Sequence, residues 1–206
     1  MIFLSGYHDI AFRDRDDTGI MLNRWNGRRS REKMLGYTWG MDTMSFTRPE
    51  KFRLDSYLAF LKRKSIYQDK CLFATAPDVL GDVDATIDKA MPVLPLIRDL
   101  GYSAALVAQN GIEHVDIDWD AFDVWFVGGT TDWKLSSPSY ELMQEARLKG
   151  KKVHMGRVNT FRRLKSAATI GCHSVDGNRA IFKPRQEVPY ILYMLDKLKQ
   201  QPVMCL

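Results

Sequence analysis

The sequence predicts a single α/β domain whose parallel strands close into a (β/α)8-like barrel. Short apolar segments alternate with helical patterns at least five times, which is typical of parallel α/β proteins. Seven or eight strands can be counted, enough to close a barrel. The chain has 206 residues, near the lower size limit for this fold of about 200 residues. A doubly wound open sheet is the alternative, but the phosphate-binding patterns GxGxxG and GxxxxGK(S/T) that would support it are absent.

Apolar runs bounded by turn residues predict the strands. They cover residues 2–4, 37–41, 71–75, 104–108, 122–127, 153–155 and 172–175. Residues 13–33 are polar, basic and contain glycine, so they predict a long excursion outside the core. Residues 180–182 are the candidate for an eighth strand.

Apolar residues at helical spacing predict the helices between these strands. They cover residues 49–64, 82–100, 137–150 and 186–199, with a further helix between Asn159 and Gly171. Pro92 and Pro95 predict that the second helix is kinked or divided into two pieces. Asn159 is expected to cap the helix that ends at Gly171.

The composition is that of an ordinary protein domain, 45% hydrophobic and 27% charged. No signal peptide or membrane-spanning segment is predicted. Cys71, Cys172 and Cys205 lie far apart and form no CxxC pair, so neither a disulfide framework nor a cysteine zinc site is indicated. We therefore expect a reducing, cytoplasmic location and no metal or cofactor.

The charge is unevenly distributed along a basic chain of net charge +5. One basic cluster contains Arg24, Arg28, Arg29, Arg31 and Lys33, and the other contains Arg157, Arg162, Arg163 and Lys165. A solvated basic surface is the simplest interpretation. The clustering favours an anionic partner such as nucleic acid.

Polar residues and glycines follow most of the predicted strands, where hydrophobic strands need none. They are Asp42, Asp78, Gln109, Gly128, Gly129, Arg157 and Asp176. Any one of the acids could be a turn residue or a helix cap. Several of them together, all at the carboxyl ends of parallel strands, predict a catalytic mouth.

These residue types suit chemistry at a glycosidic carbon. One carboxylate can attack the sugar carbon and hold it as an ester, while a second moves protons on the departing or arriving group. The amide of Gln109 offers a donor and an acceptor to the edge of a base. A pair of glycines lets backbone N–H groups approach a flat ring closely.

Five segments between Trp39 and Asn178 carry a family resemblance through their order and spacing. They are WGMDTMSF, ATAPDVLGD, ALVAQNG, WFVGGTTDWKLS and HMGRVN…GCHSVDG. The chain resembles the tRNA-guanine transglycosylases, and more closely their DNA-modifying relatives from phages and bacteria. The resemblance implies a modified TIM barrel. It also implies an exchange of guanine for a 7-deazaguanine base without cleavage of the nucleic-acid backbone.

The resemblance assigns the two catalytic carboxylates. Asp176 resembles the nucleophile that attacks C1′ of the nucleotide. Asp42 resembles the general acid/base, although the family's usual glycine-rich surroundings are replaced here by Met41, Thr43, Met44 and Ser45.

The same resemblance assigns the groups that read the base. Asp78 resembles the carboxylate that pairs with the N1 and N2 edge of guanine, and Gln109 resembles a side chain that reads the same base. Gly128 and Gly129 resemble the backbone donors near O6.

A departure from the family pattern points to DNA as the nucleic acid. The tRNA enzymes carry a zinc site of three cysteines and a histidine after the barrel, and this sequence has no such set. In DNA the target guanine must leave the base stack to be reached. Lys134, Arg157, Arg162 and Arg163 are then expected to contact the nucleic acid. His154, inside a predicted strand, is expected to be a hydrogen-bonded core residue.

Two alternatives remain open at this point. The enzyme could act on tRNA, with docking supplied by a partner subunit, or the chain could be a non-catalytic nucleic-acid-binding barrel. A homodimer is one way of completing a nucleic-acid groove around so small a domain.

Overall fold

The computed structural model describes residues 1–23, 36–45 and 49–201. Eight parallel strands form one closed barrel in chain order, and the last strand pairs with the first. The predicted TIM-type α/β barrel is therefore confirmed. The strands are β1 (Ile2–Ser5), β2 (Thr18–Leu22), β3 (Thr38–Met41), β4 (Cys71–Thr75), β5 (Ala104–Ala108), β6 (Val124–Val127), β7 (Lys152–Met155) and β8 (Ser174–Gly177).

Helices lie outside the barrel, and the described ones follow strands β3 to β8. They are α1 (Leu54–Arg63), α2 (Val83–Ala90), α3 (Leu94–Asp99), α4 (Thr131–Lys134), α5 (Ser137–Leu148), α6 (Phe161–Ile170), α7 (Arg179–Phe182) and α8 (Pro184–Gln200). The predicted division near Pro92 and Pro95 is confirmed, because α2 and α3 are separate helices. None of the described helices is long and apolar enough to cross a membrane.

Two predicted elements are wrong. Strand β2 lies inside residues 13–33, which were expected to form an excursion, and all five of its residues are buried. Gly19 made this segment resemble a loop. Glycine is required at this position because a Cβ would lie 2.3 Å from the Thr38 carbonyl oxygen. Residues 180–182 belong to the short helix α7 and supply no eighth strand.

The ends of α6 show one correct and one wrong prediction. Gly171 ends the helix in the left-handed region, with a φ of 83°. The cap at its start is Thr160, whose hydroxyl accepts from the Arg163 N–H, and not Asn159. The Asn159 side chain instead bonds Asn178, across the gap between the ends of β7 and β8.

The barrel interior is filled by one compact set of apolar side chains. They are Leu4, Met21, Phe73, Ala105, Val107, Val124 and Phe126. A larger apolar layer packs between the outer face of the barrel and the helices. Side chains alternate along a strand, so β1, β2, β4, β5 and β6 each supply residues to both layers.

Candidate active site

A cavity of about 510 Å³ opens at the carboxyl ends of the strands. Eight of the ten site residues predicted from the sequence line it. They are Asp42, Asp78, Gln109, Gly128, Gly129, Lys134, Arg157 and Asp176. They come from the ends of β3 to β8, so the closed barrel brings together residues that are up to 134 positions apart in the sequence.

A second cavity, of about 890 Å³, opens at the other end of the barrel. It lies where the strands begin, beside Ile2, Cys71 and Ser174. It contains none of the predicted site residues. Active sites of this fold lie at the carboxyl ends of the strands, so the smaller cavity is the candidate active site.

One side of the site is a buried network of Ser45, Asp78 and Gln109, here called the Asp78 wall. The Ser45 hydroxyl donates to Asp78 Oδ1 at 3.1 Å, and the Gln109 amide donates to Asp78 Oδ2 at 2.9 Å. Gln109 Oε1 accepts from the Gly81 N–H at 3.2 Å. Both ends of the Gln109 amide are therefore held, and its orientation is set before any ligand arrives.

Burial raises the pKa of Asp78 to about 6, against the hydrogen bonds from Ser45 and Gln109, which lower it. The carboxylate is still mostly ionised at neutral pH. An ionised carboxylate accepts hydrogen bonds only, so this wall suits a ligand edge that presents N–H donors.

The glycine pair lies next to the Asp78 wall, and its two members differ. The Gly128 N–H donates to the Ala108 carbonyl oxygen at 3.0 Å, so it belongs to the barrel ladder. Gly129 has left the strand, with a φ of 66°, and its N–H bonds none of the residues that the structure describes. Of the two predicted backbone donors, Gly129 is therefore the one available to a ligand.

Space explains why both positions are glycine. A Cβ on Gly128 would lie 2.7 Å from Val107 and 2.8 Å from the Ala108 oxygen. One on Gly129 would lie 2.6 Å from the Asn110 side-chain oxygen. Neither Gly128 nor Gly129 therefore has room for a side chain.

Asp42 follows β3 on a sharply turned backbone. Its Oδ1 accepts from the Met44 N–H at 2.7 Å, and Met44 lies in the left-handed region with a φ of 55°. Such a conformation is unfavourable for a residue other than glycine. Thr43 is anchored by its N–H to the Thr75 hydroxyl, which holds the turn against β4.

Burial is the main cause that raises the pKa of Asp42 to about 7, and the negative charges of Asp78 and Asp176 add to it. Protonated and ionised forms of Asp42 are thus both populated near neutral pH. A group that holds and releases a proton at the working pH is suited to general acid–base catalysis.

The opposite side of the site holds Asp176, with His154 and Arg157, and is called here the Asp176 wall. Asp176 Oδ2 lies 3.2 Å from His154 Nε2, and Oδ1 accepts from the Arg157 N–H at 3.2 Å. The Asp176 main-chain carbonyl also accepts from the Val158 N–H. Both carboxylate oxygens are oriented by groups from β7 and the loop after it.

His154 was expected only as a core residue. In the structure it is buried and also lies beside Asp176. Its side chain is 0% exposed and packs against Phe73 and Phe126, with ring centroids 4.7 and 4.5 Å away. Nδ1 lies 2.8 Å from the Ser174 hydroxyl. The contact between His154 and Asp176 follows from the pairing of β7 with β8. That pairing places His154 opposite Ser174, two residues before Asp176 on the same face.

Burial lowers the pKa of His154, against the hydrogen bond that the imidazole donates to Asp176, so the imidazole is neutral and carries one N–H. Asp176 Oδ2 is the acceptor of this hydrogen bond, which places that hydrogen on Nε2. Nδ1 then accepts from the Ser174 O–H. Ser174, His154 and Asp176 form a chain in which every donor has an acceptor.

Lys134 is buried and not a solvated loop residue. Its ammonium donates to the Gly156 carbonyl oxygen at 2.7 Å, between the ends of β6 and β7. Burial lowers its pKa to about 8, with Asp176 opposing the shift. The amine therefore adds a positive charge to the wall of the cavity at neutral pH.

The three predicted arginines lie on the outer side of the Asp176 wall. Arg157 is exposed and has a φ of 59°, which turns its N–H towards Asp176. Arg162 and Arg163 lie on the first turn of α6 and do not line the cavity, although Arg163 reaches the Arg157 carbonyl oxygen at 3.4 Å. The other basic cluster, residues 24–33, lies outside the described residues.

Within residues 1–23, 36–45 and 49–201, no three His, Cys, Asp or Glu side chains are grouped closely enough to hold a metal ion. The cysteines in these ranges, Cys71 and Cys172, are free thiols. Burial raises the pKa of the Cys172 thiol to about 12. Neither thiol lines the candidate active site, so the cysteines supply no nucleophile there.

No protein-family model matches the chain, and no curated protein sequence matches it. Among solved structures, it is similar to a Silicibacter pomeroyi DSS-3 protein assigned as a glycerophosphoryl diester phosphodiesterase, with a TM-score of 0.43 and 12% identity. The match covers 78% of this chain and 47% of that one, so the chain spans about half the length of this relative. A likeness at this level leaves the function to be argued from the site itself.

Proposed function

We propose that the protein is a guanine transglycosylase that exchanges a guanine in DNA for a 7-deazaguanine base through a covalent aspartyl intermediate. One observation carries the proposal. Three carboxylates from three strands surround one cavity, and each has a different environment. Asp78 is fixed by side-chain hydrogen bonds, Asp42 has a pKa of about 7, and Asp176 is oriented through both of its oxygens.

In the first half of the reaction, an Asp176 oxygen forms an ester bond to C1′ as the bond from C1′ to the base nitrogen breaks. Protonated Asp42 gives its proton to the departing guanine, which leaves as the neutral base. His154 and the Arg157 N–H hold the attacking carboxylate in position. Because these groups come from the packed barrel, little reorganisation is needed at the moment of attack.

The second half reverses the first with a different base. Ionised Asp42 takes the ring N–H proton from the incoming 7-deazaguanine, whose nitrogen then attacks C1′. The ester bond to Asp176 breaks, and the carboxylate is regenerated. The nucleic-acid backbone is never cut, and proton and charge balance over the two steps.

Base selection is assigned to the Asp78 wall and to Gly129. Guanine and 7-deazaguanine present the same edge, two N–H donors beside one carbonyl acceptor. Asp78 accepts from the donors, and the Gly129 N–H suits the carbonyl. A base without this edge would leave the remaining acceptor positions of the buried Asp78 carboxylate without a donor, at about 1–3 kcal/mol.

DNA is proposed over tRNA because cationic residues lie in the Asp176 wall and in the segment that follows it on the barrel itself. Between residues 157 and 185 the sequence has seven Arg or Lys and one Asp. Backbone phosphates would bind such a segment without a separate docking module. Base exchange on tRNA is the alternative that the experiment below compares with exchange on DNA.

The test is a base-exchange assay with labelled guanine, run in parallel on duplex DNA, single-stranded DNA and unmodified tRNA. Incorporation into DNA alone is the expected result. Incorporation into tRNA alone would move the substrate to RNA. No incorporation into any of the three, by protein that binds them, would leave a nucleic-acid-binding barrel without this activity.

A further inference from the structure

An apolar rim borders the mouth of the candidate active site and has no role in the chemistry above. Leu80, Ile181 and Phe182 line the cavity, and their exposed fractions are 48%, 47% and 75%. The rim lies across the mouth from β4 to the segment after β8. Water-exposed aliphatic and aromatic side chains at a polar active-site mouth call for a partner that covers them.

The rim is held in place by its surroundings. Phe182 ends α7, six residues after Asp176. Ala180 of the same helix is fully buried, and Arg179 forms an ion pair of 2.7 Å with Glu187 at the start of α8. Because α7 is anchored at both of these points, Ile181 and Phe182 are presented outward on a fixed turn.

The charge around the rim selects the kind of partner. Arg157, Lys183 and Arg185 are exposed close to it in the chain or in the cavity wall. The one acid in the first turn of α8, Glu187, is buried and paired with Arg179. An exposed aromatic ring among cations matches a strand of nucleic acid, whose bases have apolar faces and whose phosphates are negative.

We infer that Phe182, supported by Ile181, stacks on the base next to the target nucleotide and holds the strand open at the cavity mouth. This inference rests on the proposed function. A target base that turns into the cavity leaves its neighbour without a stacking partner. An apolar side chain that packs on the exposed face of the neighbouring base replaces the lost stacking contact. Apolar side chains insert between base steps in this way in minor-groove-binding proteins.

The test is a double-mutant cycle between protein and DNA, measured by fluorescence anisotropy in the Asp176→Asn background, which prevents covalent trapping. Phe182→Ala should bind a duplex with one target guanine about 5- to 150-fold more weakly, the range for one stacked base. Phe182→Trp should restore binding. With the stacked neighbour replaced by an abasic site, the loss caused by Phe182→Ala should disappear, and both neighbours of the target are tested.

Leu148→Ala is the matched control, because Leu148 is 88% exposed at the end of α5, away from the site. It should bind DNA as its parent does. Equal binding by Phe182→Ala and its parent, or a loss that persists with both abasic duplexes, would overturn the inference. A change in self-association with unchanged DNA binding would also overturn it and assign the rim to protein contact.

The binding cycle is independent of catalysis. If the wild type shows no base exchange but the cycle gives the expected coupling, the proposed function fails and the stacking contact stands. If exchange is observed and the coupling is absent, the proposed function stands without this contact.

Discussion

The Asp78 wall and the Asp176 wall both present a carboxylate after a buried strand, but they treat it differently. Asp78 is buried and receives hydrogen bonds from two neutral side chains, and its pKa is raised to about 6. Asp176 is partly exposed and is oriented by a neutral imidazole and a backbone N–H. The first arrangement suits the base-binding role that we propose for Asp78, and the second suits the proposed nucleophile, Asp176. The role of each carboxylate follows from its neighbours and not from its residue type.

Removing the Asp176 anion should have the largest effect. Asp176→Asn keeps the shape and one of the two acceptor oxygens, but an amide does not form the ester. We expect loss of base exchange and of the covalent adduct seen by denaturing electrophoresis when the incoming base is withheld. An adduct that survives in Asp176→Asn would identify another nucleophile and end the distinction between the two walls.

Asp42→Asn should slow exchange by about 10²- to 10⁴-fold, the usual contribution of general acid–base catalysis. Binding of DNA should be retained. In the wild type, exchange should fall as pH rises above about 7, because Asp42 loses the proton that the departing base requires. Rate measurements from pH 5.5 to 8.5 test this, and a variant with an unchanged pH profile would remove Asp42 from proton transfer.

Thermal melting of the same variant is the control for folding. The pKa of Asp42 is near 7 in the folded protein and about 4 when unfolded, so between these values the folded state binds more protons. The contribution of Asp42 to the free energy of unfolding is therefore complete below about pH 4, and it is lost as pH rises through about 7. Asp42→Asn should melt at a higher temperature than the wild type at pH 8, and the difference should shrink on acidification.

His154→Phe should lower kcat by about 10- to 150-fold, because it removes a hydrogen bond to a charged group. An aromatic ring is kept between Phe73 and Phe126, so the fold should survive, and KM for DNA should change little. His154→Gln, which retains an N–H donor, should recover part of the rate. Equal losses in both variants, or a loss confined to stability, would make His154 a packing residue only.

Gln109→Ala should weaken exchange by about 5- to 150-fold, equivalent to one unsatisfied buried polar group. The effect should appear in KM for the incoming base, since Gln109 bonds Asp78, the residue proposed to bind the base edge. Gln144→Ala, the same substitution at an exposed position of α5 that does not line the cavity, is the matched control. Wild-type turnover by folded Gln109→Ala would remove it from base recognition.

The smallest effects are expected outside both walls. Arg162→Ala and Arg163→Ala should each weaken DNA binding a few-fold and reduce the slope of log affinity against log salt by about 1. Lys149→Ala, exposed at the end of α5, is the control. Salt slopes unchanged in both arginine variants would mean that these side chains do not reach phosphate.

Periodicity and turn chemistry were sufficient for most of the fold. The β4 and β5 boundaries agree with the predicted ones, and the proline-divided helix is present as α2 and α3. Strand β2 was not predicted, because its five residues follow two aspartates and contain Gly19, a pattern that is typical of a loop. Only the close approach of Thr38 explains that glycine.

The sequence by itself determined which side chains stand after the strands, because a parallel barrel brings all carboxyl ends to one mouth. It also indicated the chemical types available there, three carboxylates and an amide. Only the tertiary structure decided how they are paired, since the register of β7 on β8 puts His154 beside Asp176 and barrel closure buries Lys134. Desolvation and neighbouring charge depend on that packing, and they set the pKa that distinguishes Asp42 from an ordinary turn aspartate.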